Sequence, residues 1–166
     1  LSARLPLGQH AVRSGLLAAR VPGRFDVRPG RPTWVLDVAH NPAAAAVLSD
    51  MLGDFFCSGR SLAVCGMLAD KDAAGVAAAL AGRFDAWYLV DLSKEPRGMS
   101  AAQLAERLRP VLGDTPVDRG GGVAQVMADV AADAGADDRV VVFGSFLTVG
   151  AAMDWLASDR SAAAKA

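Results

Sequence analysis

The sequence predicts an α/β fold: a mostly parallel sheet with helices on both faces and an N-terminal β-hairpin that adds an antiparallel edge strand. Three observations predict it. Short apolar runs at 33–38, 62–65, 86–90 and 139–143 are too continuously hydrophobic for strands with one wet face. Alanine-rich segments of roughly 10–13 residues separate most of them, long enough to be crossover helices. Capping signals such as Asn41-Pro42, Ser100 with Gln103, and Gly82 fall where those segments begin or end.

In chain order, residues 25–28 and 33–38 flank the turn pair Pro29-Gly30 and read as a β-hairpin. Asn41 then caps a helix to about Asp54, with Pro42 in the first helical position, where its missing N–H has no partner to lose. The strand at 62–65 leads into G-M-L-A-D-K-D at 66–72, and a helix from about Asp72 to Ala81 is closed by Gly82. Residues 86–90 form the next buried strand, and Ser100 with Gln103 makes a capping box for a helix to about Leu112. The stretch D-R-G-G-G at 118–122 reads as a loop, and Val123 to Ala134 as a helix. The last strand, at 139–143, is apolar after its first residue, and Gly144-Ser145 turns it into a helix from about Leu147 to Ala157. Right-handed crossovers between parallel strands make this order a doubly wound, Rossmann-like structure. Trp34, Cys65 and Trp87 lie inside strands and read as core.

Composition excludes several function classes. With 166 residues, 52% hydrophobic and 21% charged, the chain can bury one sizeable core. Seventeen basic and 18 acidic residues give a net charge of -1, without the basic field of a nucleic-acid binder. Two cysteines, Cys57 and Cys65, make no disulfide scaffold or metal motif and fit a reducing cytoplasm. No apolar run reaches the ~18–20 residues of a membrane span. There is no G-x-x-x-x-G-K-[ST], no G-x-G-x-x-G after the first strand and no G-x-S-x-G. No residue is assigned a catalytic role, and none a metal.

Ligands of open parallel sheets gather beyond the carboxyl ends of the strands, where three loops are candidates. In the first, D-V-A-H-N-P at 37–42, Asp37 ends a buried strand and His40 precedes a helix whose N-terminal N–H groups attract anions. A carboxylate there can accept ribose hydroxyls, and an imidazole can bond a phosphate or carboxylate. Equally, both side chains can simply tie the loop to its own backbone, while Asn41 caps the helix. In the second loop, Lys71 can reach a phosphate or pair in solvent with Asp70 or Asp72, one of which caps the next helix. In the third, Ser145 can meet a ligand or cap the last helix.

The motifs P-G-R-F at 22–25, D-V-A-H-N-P at 37–42, G-M-L-A-D-K-D at 66–72, P-R-G at 96–98 and F-G-S-F at 143–146 occur in one order. Together, over roughly residues 11–150, they closely resemble the C-terminal part of bacterial folylpolyglutamate synthase/dihydrofolate synthases, a branch of the Mur ligase family. The resemblance implies an ATP-dependent amide ligase for dihydropteroate or folates. ATP phosphorylates the substrate carboxylate, and the amine of L-glutamate attacks the acyl phosphate. It implies that the P-loop and the Mg²⁺ ligands belong to an N-terminal ATPase domain that partners this one. By motif, Arg24 faces the phosphates of ATP and Asp37 the ribose or its vicinity; His40 and Ser145 bind the incoming glutamate. Many such ligases carry histidine after G-S-F, where this chain has Leu147, and no role is carried to that position.

The same resemblance makes residues 1–23 a remnant of the ATPase domain plus linker, 24–158 the Rossmann-like domain and 159–166 a flexible tail. It implies a monomeric cytoplasmic parent enzyme and a chain that is inactive alone. The alternative is a non-catalytic nucleotide- or anion-binding module that shares only the fold.

Overall fold

The computed structural model describes residues 21–163. The segment expected to be ATPase remnant plus linker, residues 1–23, therefore lies outside the described residues except for 21–23. Strands β1 (Asp26–Arg28) and β2 (Thr33–Leu36) form the expected hairpin, with Asp26 opposite Leu36 and Arg28 opposite Trp34. The chain continues through α1 (Pro42–Asp54), β3 (Ser61–Cys65), α2 (Ala73–Ala79), β4 (Ala86–Leu89), α3 (Ala101–Leu112), β5 (Val117–Arg119), α4 (Val123–Asp133), β6 (Arg139–Phe143) and α5 (Phe146–Ala163). The sheet order is β1-β2-β6-β3-β4-β5, parallel except at the β1–β2 edge.

Both faces are covered, so the inner strands need apolar side chains in both directions. Along β6, Val141 and Phe143 join Leu48, Val76 and Leu104 beneath α1, α2 and α3. Val140 and Val142 join Met127, Val149 and Leu156 beneath α4 and α5. On the first face Phe143 stacks on Phe84 at 5.7 Å and meets the edge of Trp87 at 5.6 Å. Cys65 is fully buried there, and burial pushes its thiol pKa well up. No helix among the described residues is long and apolar enough to cross a membrane.

Local signals act where expected. The side chain of Asn41 accepts from Ala44 N at 2.9 Å, and that of Asp72 from Gly75 N at 2.8 Å. Ser100 and Gln103 close the capping box. Two readings are corrected. Residues 118–122 are not all loop: Val117–Arg119 forms β5, with Trp87 opposite Val117 and Leu89 opposite Arg119. Its only apolar residue is Val117 and its other two are exposed, so an edge strand this short leaves almost no hydrophobic signal. The final helix begins one residue earlier and continues to Ala163, because the alanine-rich sequence beyond 157 contains no helix breaker.

At the amino end of the strands, Asp138 joins two loops. It accepts from Arg60 N at 2.8 Å and Gly135 N at 2.9 Å, and its carboxylate pairs with the Arg60 guanidinium. Burial opposes its ionisation, but these donors outweigh that and hold the carboxyl below its usual range. A depressed folded pKa contributes stability above the unfolded value, and that contribution is lost as pH falls through the folded one. Asp138→Asn is expected to cost about 1.5–3 kcal/mol at pH 7. Urea titrations should show the gap to the parent chain closing below about pH 4.

Candidate functional site

The strand order places the loops after β2, β3 and β6 side by side at the carboxyl edge of the sheet. A cavity of about 240 Å³ opens between them. His40, Lys71 and Ser145, one from each loop, line it together with Arg97. Leu68, Phe146 and Leu147 supply its apolar wall.

The turn after β6 can approach the turn after β3 only because of two glycines. Gly144 sits at φ +107°, and a Cβ there would lie 2.7 Å from Gly66 O and 2.9 Å from Met67 Cγ. A Cβ on Gly66 would lie 2.5 Å from Thr148 Oγ1. Thr148, fully buried, donates its hydroxyl to Gly66 O at 2.9 Å. Ser145 Oγ lies 2.8 Å from Thr148 Oγ1 and accepts from Thr148 N at 3.1 Å, which makes Ser145 the cap of α5 as well as part of the cavity lining.

Asp37 is buried, and each of its oxygens holds backbone: Oδ1 accepts from Ala39 N and Oδ2 from Phe25 N, both at 2.8 Å. The carboxylate thus organises its own loop and also the turn carrying Arg24, with further lone pairs left over. Phe25 occupies φ +42°, a strained conformation for an aromatic residue, held by Asp37 and by edge-on contact with Phe55 at 5.8 Å. This sets the exposed Arg24 beside the site rather than in the cavity wall. His40 Nδ1 is 2.8 Å from Val38 O; a carbonyl only accepts, so Nδ1 carries the hydrogen and Nε2 is left for a ligand.

The second loop divides its charges. Asp72 is spent as the cap of α2, while Asp70 pairs with Lys71 at 3.3 Å and approaches Arg97 at 3.9 Å. Burial opposes the charge on Asp70, but the bond to Lys71, a backbone hydrogen bond and the charges of Lys71 and Arg97 together outweigh it and lower its pKa. Of the residues singled out in the sequence, the structure gathers His40, Lys71 and Ser145 in one cavity, and Asn41 and Asp72 serve as caps. Arg97 and Leu68 were missed as cavity residues. Arg97 adopts φ +61°, its carbonyl accepts from Ala69 N at 2.8 Å, and Leu68 bridges to Gly98. The P-R-G sequence at 96–98 was the one available signal.

The family described as Mur ligase, glutamate ligase domain, matches residues 23–146. The chain is 41% identical to the dihydrofolate synthase/folylpolyglutamate synthase of Escherichia coli K12 over 162 residues, which cover 95% of the chain and 36% of that protein. The crystal structure of the bifunctional folylpolyglutamate synthase/dihydrofolate synthase with Mn, AMPPNP and L-glutamate bound superposes with a TM-score of 0.80 at 44% identity, covering 93% of this chain and 36% of that one. E. coli FolC in complex with DHPP and ADP gives a TM-score of 0.83 at 40% identity over the same shares. The chain thus spans about a third of the length of the relatives it matches.

Proposed function

Because the chain belongs to the Mur ligase family, in its glutamate ligase domain, we propose that it forms the C-terminal part of an ATP-dependent ligase that adds L-glutamate to dihydropteroate or folates. The observation that supports this most is the cavity that draws His40, Lys71 and Ser145 from three loops at the carboxyl edge of the sheet. The lining offers two cations, an imidazole and a hydroxyl, a set suited to a small zwitterion with more than one carboxylate. Residues 24–158 would be the Rossmann-like domain of a monomeric cytoplasmic enzyme, where both thiols stay free.

In this reading Arg24 meets the phosphates of ATP, for which its planar fork is well shaped. Asp37 reaches the ribose with the lone pairs its backbone partners leave free, and His40 and Ser145 hold glutamate beside the activated carboxylate. Lys71 and Arg97 would take the carboxylates of glutamate in exchange for Asp70. The role of the chain is positioning: it brings the amine to the acyl phosphate and shields that intermediate from water. Mg²⁺ would neutralise charge on the transferring phosphoryl group. Among the described residues no group of three or more His, Cys, Asp or Glu is placed to hold a metal. In this reading its ligands belong to the ATPase domain, as the resemblance to the bifunctional synthases implies.

L-Glutamate added to the ¹⁵N-labelled chain should shift amides in 38–42, 66–72 and 144–148. The chain alone, with ATP, Mg²⁺ and dihydropteroate, should form no glutamylated product. Joined to a P-loop ATPase domain, it should support turnover that His40→Ala lowers by roughly tenfold to a hundredfold, the worth of a hydrogen bond to a charged group. Nucleotide binding with no turnover in the joined protein would favour the non-catalytic module instead.

A further inference from the structure

Thr148 touches no part of the cavity surface, yet its hydroxyl has only one hydrogen to give. Gly66 O, a carbonyl, can only accept, and Thr148 Oγ1 lies 2.9 Å from it. If the hydrogen turned toward Ser145 instead, a buried carbonyl would be left unpaired, which is costly away from water. The hydrogen therefore belongs to Gly66 O, and the contact between Thr148 Oγ1 and Ser145 Oγ at 2.8 Å must be made by the hydrogen of Ser145. Ser145 Oγ also accepts from Thr148 N. One lone pair on Ser145 remains for the cavity, and no hydrogen does.

We infer that Thr148 is a positioning residue that makes Ser145 an obligate acceptor, so the group bound against Ser145 is an N–H donor and not a carboxylate. Resting on the glutamate reading above, this orients the substrate: its α-amine lies toward Ser145 and its carboxylates toward Lys71 and Arg97. A hydroxyl free to rotate would accept either end of a zwitterion. A hydroxyl locked as an acceptor rejects the reversed pose, which would set lone pair against lone pair.

Two measurements on the full chain test this. The first is the direction of the hydroxyl hydrogens, followed by NMR of the buried, slowly exchanging protons of Ser145 and Thr148. The Thr148 hydroxyl proton should couple to the Gly66 carbonyl carbon and the Ser145 proton should lie against Thr148 Oγ1; a Thr148 proton directed at Ser145 overturns the inference. The second compares L-glutamate with glutarate, which lacks the amine. The parent chain should bind glutamate about tenfold or more tighter than glutarate. Thr148→Val, which keeps the shape and removes the hydroxyl, should lose most of that preference, and Thr148→Ser should restore it. A Thr148→Val chain that is folded and keeps the full preference overturns the inference. If neither ligand binds, the glutamate reading fails by itself, and the hydroxyl protons alone decide the role of Thr148.

Discussion

A Gly144→Ala chain should lose about 2–5 kcal/mol of stability, the sum of a left-handed backbone strain and an overpacked contact. The φ of +107° at this position suits glycine alone, and the added methyl would enter space held by Gly66 O and Met67. Neither neighbour can move cheaply: Gly66 is clamped by Thr148, and Met67 is fully buried. Relief would come by parting the turns after β3 and β6, the two that frame the cavity. Amide shifts at 66–68 and 144–148, together with loss of glutamate binding in the molecules still folded, should accompany the drop in urea midpoint. Gly150, inside α5 and with open space around its missing Cβ, is the control, where alanine should do no harm. A Gly144→Ala chain as stable as the parent would show that the turns are not in contact as described.

The second large loss should follow from Arg139→Met. Arg139 is 6% exposed, and its guanidinium meets Ser61 Oγ, Leu52 O at 3.1 Å and Phe55 O at 2.7 Å. These acceptors are uncharged, and burial lowers the arginine pKa, although a guanidinium in a protein keeps its proton. The cation sits where α1 ends, with orphan carbonyls and the negative end of the helix dipole in front of it. Methionine fills much of the volume but leaves those carbonyls dry and unpaired. The expected cost is about 3–5 kcal/mol, from two to three buried groups losing their partner. Because Arg139 lies at the amino end of the strands, the glutamate affinity of folded molecules should not change. Chemical denaturation and ligand titration on the same sample separate the two effects.

What could be read from the sequence tracks how local the cause is. Asn41, Asp72 and the Ser100–Gln103 box act within three residues, and each does what its spacing predicts. The apolar runs of β2, β3 and β6 are equally plain, because burial on both faces leaves no polar position after the first residue of each. β5 escaped because pairing with β4 makes it a strand, not its own composition. Asp37, His40 and Ser145 stood out by their places at strand ends, but their partners did not. Asp37 reaches back 12 residues to Phe25, and Ser145 depends on a threonine that answers to Gly66, 82 residues before it. Arg97 enters the cavity because a left-handed turn after β4 folds back on the loop after β3, a meeting that no sequence window contains. Arg139 looks like the polar start of a strand until the helix end it caps is known.

The position of β6 bears on the order in which the molecule can be assembled. It is the last strand among the described residues, yet it lies between β2 and β3, which are synthesised about 100 and 75 residues before it. A nascent chain that has reached α4 holds two blocks with complementary open edges and no strand pairing between them, a state prone to pairing with the wrong strand. Insertion of β6 closes the sheet, and the turn that follows it brings Ser145 into the wall of the cavity. Ligand capacity therefore appears in a single late step. A ribosome-bound chain lacking residues 139–148 keeps His40, Lys71 and Arg97 but not Ser145 and the wall of Phe146 and Leu147, and should hold L-glutamate far more weakly than the full chain, however well its first five strands have formed.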